Sequence, residues 1–360
     1  MSEKSFIAKN FKKFPNQFDI TWSSPSNIAL VKYWGKNKDQ TPKNTSISFT
    51  LNNSRTITKV EFSKKTKSSS DIIFDVYYEN SKMDSFREKI HIFLNKILKY
   101  CSYLSEYNLK ILTNNTFPHS SGIASSASGM SALALCIMSL EKKLNPAVEN
   151  DYFNKKASFL SRIGSGSACR SIYGGINVWG EHEKIEGSTD LYSIKYPYDV
   201  SDKFKDYNDA ILLVDKKAKQ VSSSDGHELM NNHIYADSRY EIAQKNAYKL
   251  KSILKNGDLY SFANIIEQEA MMLHALMMTG NPSYVLVKTE TLDIINRIKK
   301  YRETSKIPVC FTLDAGANVH LLFPKEDMDQ VELFIESELK KFCKDNSYII
   351  DKIGSGPIQL

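Results

Sequence analysis

The chain has 360 residues and a mass of 41.0 kDa, room for one large domain or two of ordinary size. Hydrophobic residues make up 41% and charged residues 25%, which excludes a low-complexity or disordered chain. The net charge is +7, but the lysines near Lys12, Lys64 and Lys340 are scattered and offset by nearby acids. That pattern describes a solvated surface rather than a nucleic-acid face, while a mild positive field suits small polyanionic substrates.

Residues 1–20 read as a polar N-terminal extension without the apolar core of a signal peptide. From Trp22 to Tyr78 the chain is strand-rich, with runs such as "SISFTL", "ITKVEF" and "IIFDVYY". "DSFREKIHIFLNKILKYC" places Phe86, Ile90, Phe93, Leu94, Ile97 and Leu98 on one helix face. The strand "NLKILTNN" leads into a loop of small residues and a helix from about Ser126 to Leu140, whose stripe is Met130, Leu133, Ala134 and Ile137. A further helix, "NDYFNKKASFLSRIG", runs into "GSGSACRS". Past Gly180 the chain turns polar, and the domain boundary falls near residue 205. Then come the strand "AILLVD", helical segments over about His227–Lys255 and Asp258–Met278, the hairpin "VCFTLDAGANVHLLF", the helix "DMDQVELFIESELKKFC" and the strand "SYIIDKI". This is an α+β pattern in two domains, 21–205 and 206–360, behind the extension.

The five cysteines show neither CxxC nor zinc spacing and read as free thiols in a reducing compartment, pointing to the cytoplasm. There is no apolar run of about 18 residues, so a membrane span is not expected.

Four stretches pack small or charged residues closely enough to suggest chemistry. "NTFPHSSGIASSASGM" puts a strand, a Ser/Gly loop and a helix start in sequence, which leaves backbone N–H groups pointing toward an anion; the plainer reading is a flexible linker with an N-cap. The Walker pattern and GxGxxG are both absent, so a nucleotide would bind by another route. In "SSPSNIALVKYWGK", Asn27, Lys32 and Lys36 fall in one strand-like segment whose even spacing would put both lysines on one face; alone they are more simply surface lysines. "GSGSACRS" sets Arg170 after Ser165, Gly166 and Ser167, a fork suited to carboxylate or phosphate. In "TLDAGAN", Asp314 ends an apolar strand, though a lone Asp before a turn is usually a turn former.

Taken together and in this order, the motifs "NIALVKYWGK", "NTSISFTL", "FPHSSGIASSAS", "GSGSACRSIYGG", "LDAGAN" and "GSGP" resemble those of the GHMP kinase superfamily, and within it the diphosphomevalonate decarboxylases. They run from Asn27 to Pro357. The resemblance implies a two-domain GHMP kinase fold, with a ribosomal S5 domain 2-like N-terminal part that binds ATP and a ferredoxin-like C-terminal part. It also implies an ATP- and Mg²⁺-dependent decarboxylase of the mevalonate pathway that converts (R)-5-diphosphomevalonate to isopentenyl diphosphate, in a homodimer.

Carried over residue by residue, the resemblance makes Asp314 the group that orients or deprotonates the C3 hydroxyl. Lys32 lies near it and the γ-phosphate, Ser126 positions the phosphoryl group, Arg170 grips the substrate carboxylate, and Asn27 orients that arginine or the substrate. Tyr33, Lys36, Ser165, Gly166, Ser167 and Ser223 match the diphosphate contacts. Pro118, Ser121, Gly122, Ile123, Ala124 and Ser125 match the ATP cradle. Mg²⁺ would be held through the ATP phosphates, with Ser125 its one protein contact and no direct protein site otherwise. The chain departs from the pattern at Ala317, where Pro is usual, at His227, where Met is usual, and at Ser224, where some bacterial members carry Arg.

Two other readings stay open at this stage. One lies within the superfamily, a phosphomevalonate decarboxylase or mevalonate 3-kinase; relatives that only phosphorylate tend to lack the Asp and Lys pair. The other is a ligand sensor that has kept the fold without turnover, which would be expected to have lost part of the set.

Overall fold

A computed structural model describes residues 2–66, 71–118, 123–216 and 223–360, the side chains of 223 and 224 excepted. In chain order the first part supplies β1 (Gln17–Val31), β2 (Ser46–Lys64), β3 (Ile73–Tyr78), β4 (Ser81–Lys82), α1 (Asp84–Ile97), β5 (Tyr107–Asn115), α2 (Ser125–Leu144), α3 (Asn150–Gly164), β6 (Ile176–Trp179) and β7 (Ile194–Lys195). The second part supplies β8 (Asn208–Leu212), α4 (Ser223–Glu228), α5 (Ala236–Asn256), α6 (Leu259–Thr279), α7 (Thr289–Ser305), β9 (Cys310–Leu313), β10 (Val319–Phe323), α8 (Met328–Phe334), β11 (Tyr348–Lys352) and β12 (Ile358–Gln359).

The first sheet has the order β12-β1-β2-β5-β3-β4, with β6 against the start of β2 and β7 on β6. β1 and β2 form one long antiparallel ladder from Gln17↔Ser63 to Val31↔Ile47, with irregularities at Pro25/Asn27 and Ala29/Val31. The second sheet has the order β11-β8-β10-β9, antiparallel throughout. The chain end then returns to the first sheet, where Ile358 pairs with Ser23.

Strand periodicity explains how the two halves join. In β8, Ile211 faces the core shared with α5, α6 and the first sheet, while Ala210 and Leu212 face the core beneath α7 and α8. Both faces of the second sheet are therefore covered, and every residue of β8, β9 and β10 is buried; two of their polar members, Asp209 and His320, pair with each other at 2.8 Å. The five cysteines are all buried free thiols. Among the described residues, no helix is long and apolar enough to cross a membrane.

Four expectations from the sequence change. The first twenty residues are not a separate polar extension: Phe6 is fully buried and stacked on Phe159 at 4.6 Å between centroids, and β1 already begins at Gln17. The lysines of this stretch mask Phe6, Phe11, Phe14 and Phe18, which all pack against the first core. The helix expected over His227–Lys255 is interrupted, since α4 ends at Glu228 and α5 begins at Ala236. The last helix keeps regular α form only over Met328–Phe334, then widens into a π turn at Ile335–Leu339. Finally, α7 is a helix the sequence reading passed over; it buries Thr291, Ile294, Ile295 and Ile298.

Candidate active site

β1 delivers Lys32 one residue past its end, and the strand alternation stops there. Gly35 has φ 93°, and a Cβ on it would lie 2.3 Å from the Tyr240 hydroxyl. Lys32 and Lys36 therefore do not share a strand face, as their even spacing suggested. The turn nevertheless brings both to one cavity of about 810 Å³ between the two halves of the chain.

Lys32 is the cavity's best-anchored group. It is 2% exposed, and its Nζ lies 3.1 Å from Asp314 Oδ1. Its backbone N–H donates to Glu269 Oε2 at 2.9 Å, and its carbonyl accepts from Asn44 Nδ2 at 3.0 Å and Arg239 Nη2 at 3.1 Å. Burial depresses the Lys32 ammonium pKa; the Asp314 carboxylate works against that, while nearby Arg170 adds to it. Asp314 directly follows β9 and is 30% exposed, as its place at a strand end suggests. The Asp314 carbonyl accepts a hydrogen bond from His274 Nε2 at 3.1 Å, and burial holds that imidazole down at about 4, so the ring is neutral.

Arg170 comes from a 3₁₀ turn, Gly166–Ser171, between α3 and β6. Its Nη1 donates to Ser46 Oγ, while its buried Nε has no partner among the described residues and the residue lines the cavity. Asn27 does not touch Arg170. Its Nδ2 donates to Ser167 O at 3.2 Å and Ser171 Oγ at 2.7 Å, so it fixes the turn that carries the arginine.

α2 enters the cavity wall with its N-terminus. The N-cap, Ala124, has φ 22° and no side chain able to accept from the first-turn amides. Ile123, Ala124, Ser125 and Ser126 all line the cavity, so the unpaired N–H groups and the positive end of the helix face it. Ser126 Oγ stands 3.5 Å from Ser165 Oγ across the gap, and Ser165, Gly166 and Ser167 complete that wall. Tyr33 is buried with an unpaired hydroxyl, and Lys36 also lines the space. Pro118 is exposed and lies on neither this wall nor that of the adjoining pocket. Ser121, Gly122 and the Ser223 side chain lie outside the described residues.

Sequence reasoning missed the contribution of α1. Lys89 and Lys96 line the cavity; seven residues apart, they share one helix face, a spacing readable from sequence once the apolar face is set aside. The Lys89 ammonium pKa is depressed by desolvation and by Lys36. A second pocket of about 240 Å³ shares Ser85, Lys89, Ser125 and Ser126 with the cavity but is walled by Phe86, Ile90, Ile111, Met130 and Leu133. His227, also unassigned, is buried on the cavity wall.

An ammonium against a carboxylate, an arginine with an unused donor and an uncapped helix start, gathered on one cavity between two α+β halves, define an enzyme that handles phosphorylated substrates. Residues 24–191 match the diphosphomevalonate decarboxylase-like N-terminal domain and residues 210–357 the mevalonate 5-diphosphate decarboxylase C-terminal domain. The chain belongs to the diphosphomevalonate decarboxylase family. It is 28% identical over 337 residues to the diphosphomevalonate decarboxylase of Ganoderma lucidum, covering 89% of this chain and 82% of the relative. With that of Saccharomyces cerevisiae it shares 29% over 329 residues, covering 87% and 80%. Among solved structures it is similar to mevalonate diphosphate decarboxylase from Staphylococcus aureus, with a TM-score of 0.80 and 27% identity over 96% of this chain and 98% of that one. It is also similar to MDDEF in complex with MVAPP, AMPPCP and magnesium, with a TM-score of 0.81 and 25% identity over 96% and 99%.

Proposed function

We propose that this chain catalyses the ATP-dependent decarboxylation of (R)-5-diphosphomevalonate to isopentenyl diphosphate, ADP, phosphate and CO₂, with the residue roles that follow. The observation that carries the reading is the Lys32–Asp314 pair, 3.1 Å apart, on the wall of a cavity that also carries Lys36, Lys89, Lys96, Arg170 and the start of α2. The substrate is a tertiary alcohol that must lose its C3 oxygen, and hydroxide is a poor leaving group. Asp314 orients or accepts the proton of the C3 hydroxyl as it attacks the γ-phosphoryl group. Lys32, already beside Asp314, offsets the charge that develops on the transferred group. Once phosphate has left, the carboxylate departs as CO₂ and its electron pair forms the alkene. Arg170, with its unused Nε, suits the carboxylate, and Asn27 keeps the arginine's turn in place.

Tyr33, Lys36, Ser165, Gly166, Ser167 and Ser223 take the 5-diphosphate in this reading. ATP fits the chain at the uncapped start of α2, where Ser125 and Ser126 face both spaces and the apolar pocket beyond suits a nucleobase. Lys89, at the junction of the two spaces, suits the nucleotide phosphates. Mg²⁺ would arrive on those phosphates, with the Ser125 hydroxyl as its protein contact, and would supply charge neutralisation of the polyphosphate. A homodimer working in the cytoplasm is part of the same reading, supported by the family and by five unpaired thiols.

The test is to incubate the protein with ATP, Mg²⁺ and diphosphomevalonate and to measure CO₂ and phosphate release together. The expected result is equal release of both, with a kcat/KM for diphosphomevalonate well above that for phosphomevalonate. ADP without CO₂ would overturn the decarboxylase reading in favour of a 3-kinase, and preference for the monophosphate would overturn the substrate.

A further inference from the structure

His227 is a polar side chain held in an aromatic stack on the cavity wall. Its ring lies 4.2 Å from that of Tyr33 and 4.9 Å from that of Trp34, centroid to centroid, and it is 6% exposed. The stack is built for it. Gly226, the residue before it, has no side chain, and a Cβ there would meet Trp34 at 2.4 Å. Within the stack, His227 Nδ1 accepts the backbone N–H of Gly35 at 3.0 Å. An imidazole nitrogen that accepts has its lone pair in use and carries no proton, so the ring proton of the neutral form is on Nε2. The ring is neutral: burial, with Lys36 and Arg170 nearby, keeps its pKa at about 3. Nε2–H has no partner among the described residues, yet it is not one of the fully enclosed orphan atoms, and the residue lines the cavity.

An N–H of fixed tautomer that opens onto the cavity, with no acceptor among the described residues, is available to what fills the cavity. The groups that surround it there, Tyr33 and Lys36, are those assigned to the 5-diphosphate. We infer that His227 is a substrate-binding residue, whose Nε2–H donates to a phosphate oxygen of the 5-diphosphate and helps select diphosphate over monophosphate. This rests on the function proposed above. The Gly35 N–H acts through the ring as a positioning group: it holds the tautomer, and the turn after β1 that carries Lys32, Tyr33 and Lys36 is thereby tied to α4. A methionine at position 227 would fill the stack but supply no donor.

Two variants separate donation from packing. His227→Met fills the stack without a donor. His227→Gln can accept from Gly35 through Oε1 and donate through Nε2. The expected result is a KM for diphosphomevalonate raised about tenfold in His227→Met, with kcat and the KM for ATP within twofold of wild type and the preference over phosphomevalonate reduced. His227→Gln should recover most of the loss. A hydrogen bond to a charged group supports an effect of this size. An unchanged KM in a folded His227→Met protein would overturn the inference, as would equal defects in both variants. A measurement on the wild type stands apart from any variant. The histidine ring ¹⁵N spectrum should show His227 protonated at Nε2 alone, with that N–H shifting on addition of diphosphomevalonate. A proton on Nδ1 would overturn the inference. Failure of the wild type to turn over diphosphomevalonate would instead overturn the underlying function, leaving the tautomer result standing.

Discussion

Glu269 on α6 accepts the backbone N–H of Lys32 at 2.9 Å, across 237 positions of sequence. The same carboxylate takes both Nη atoms of Arg239 and the amide of Asn246, and Arg239 Nη2 also reaches the Lys32 carbonyl. Both ions are essentially inaccessible, at 2% and 0% exposure. The second half of the chain thus grips the peptide of Lys32 on both sides, and the lysine's position depends on how the two halves pack.

Removing one partner of such a pair leaves the other charge buried and uncompensated, a loss of about 3–5 kcal/mol. Glu269→Ala should therefore lower unfolding free energy by that order in urea titrations. Glu269→Gln keeps the acceptor for the Lys32 N–H and should cost less stability while still lowering kcat. A Glu269→Ala protein as stable as wild type would show that the pair does not hold the halves together.

Asp314→Asn should leave the fold and ATP affinity intact and reduce turnover by several orders of magnitude, as expected for a group whose charge acts in the reacting complex. It should also lower the Lys32 pKa further, because it removes the carboxylate that opposes desolvation. Turnover within about tenfold of wild type would correspond to only about 1.4 kcal/mol and would remove Asp314 from the chemistry.

The acid limb of stability follows from His274, 2% exposed, whose pKa falls from 6.5 to about 4 in the fold. Between those values the unfolded chain binds the extra proton, so stability rises with pH across that window and is lost as pH falls through it. The full size is roughly 3 kcal/mol. Urea midpoints measured from pH 7 down to 4 should fall, and His274→Gln should flatten that slope while preserving a donor to the Asp314 carbonyl. A slope unchanged in the variant would show that His274 does not titrate with folding.

Much of the site was legible in the sequence because its members lie in short local motifs. Arg170, Ser165, Gly166 and Ser167 sit within one turn, and Ser125 and Ser126 open one helix, so local motifs drew attention to them and the resemblance implied their roles. What the sequence hid were the relationships between distant elements. Arg239 and Glu269 look like ordinary charges on amphipathic helices until α5 and α6 meet the end of β1. His227 stood at the start of an expected long helix, whereas it belongs to the short α4 and its ring packs against Tyr33 and Trp34. The even spacing of Lys32 and Lys36 misled because Gly35 ends the extended backbone between them. The N-terminal twenty residues misled for a compositional reason: polar and charged residues separate the phenylalanines Phe6, Phe11, Phe14 and Phe18, which do the packing.

Phe6 makes that last point measurable. It is fully buried, stacked on Phe159 and edge-on to Tyr192 at 5.8 Å. Phe6→Ala should destabilise by about 3–5 kcal/mol, the range for a large buried aromatic, with KM values unchanged because no part of the cavity touches it. A loss below about 1 kcal/mol in denaturant unfolding would return the segment to the status of a loose extension.

Gly166 offers a sharper test of how the wall proposed for the diphosphate is built. A Cβ at this position would lie 2.6 Å from the Tyr33 hydroxyl and 3.0 Å from its ring. The ring cannot retreat easily, since Trp179 packs against it at 4.6 Å and His227 at 4.2 Å. In Gly166→Ala the turn carrying Arg170 must move instead, at an overpacking loss of about 1–3 kcal/mol. Because that turn and Tyr33 line the same cavity, KM for the substrate should rise about tenfold and kcat should also fall as Arg170 shifts. The collision makes a double-mutant prediction. Tyr33→Phe removes the hydroxyl that the new methyl strikes first, so the pair Gly166→Ala with Tyr33→Phe should be more stable than the sum of the single losses, with a coupling above about 0.5 kcal/mol. Additive losses would mean that the methyl is accommodated elsewhere, and that the close approach of Tyr33 to the turn does not set the shape of the pocket.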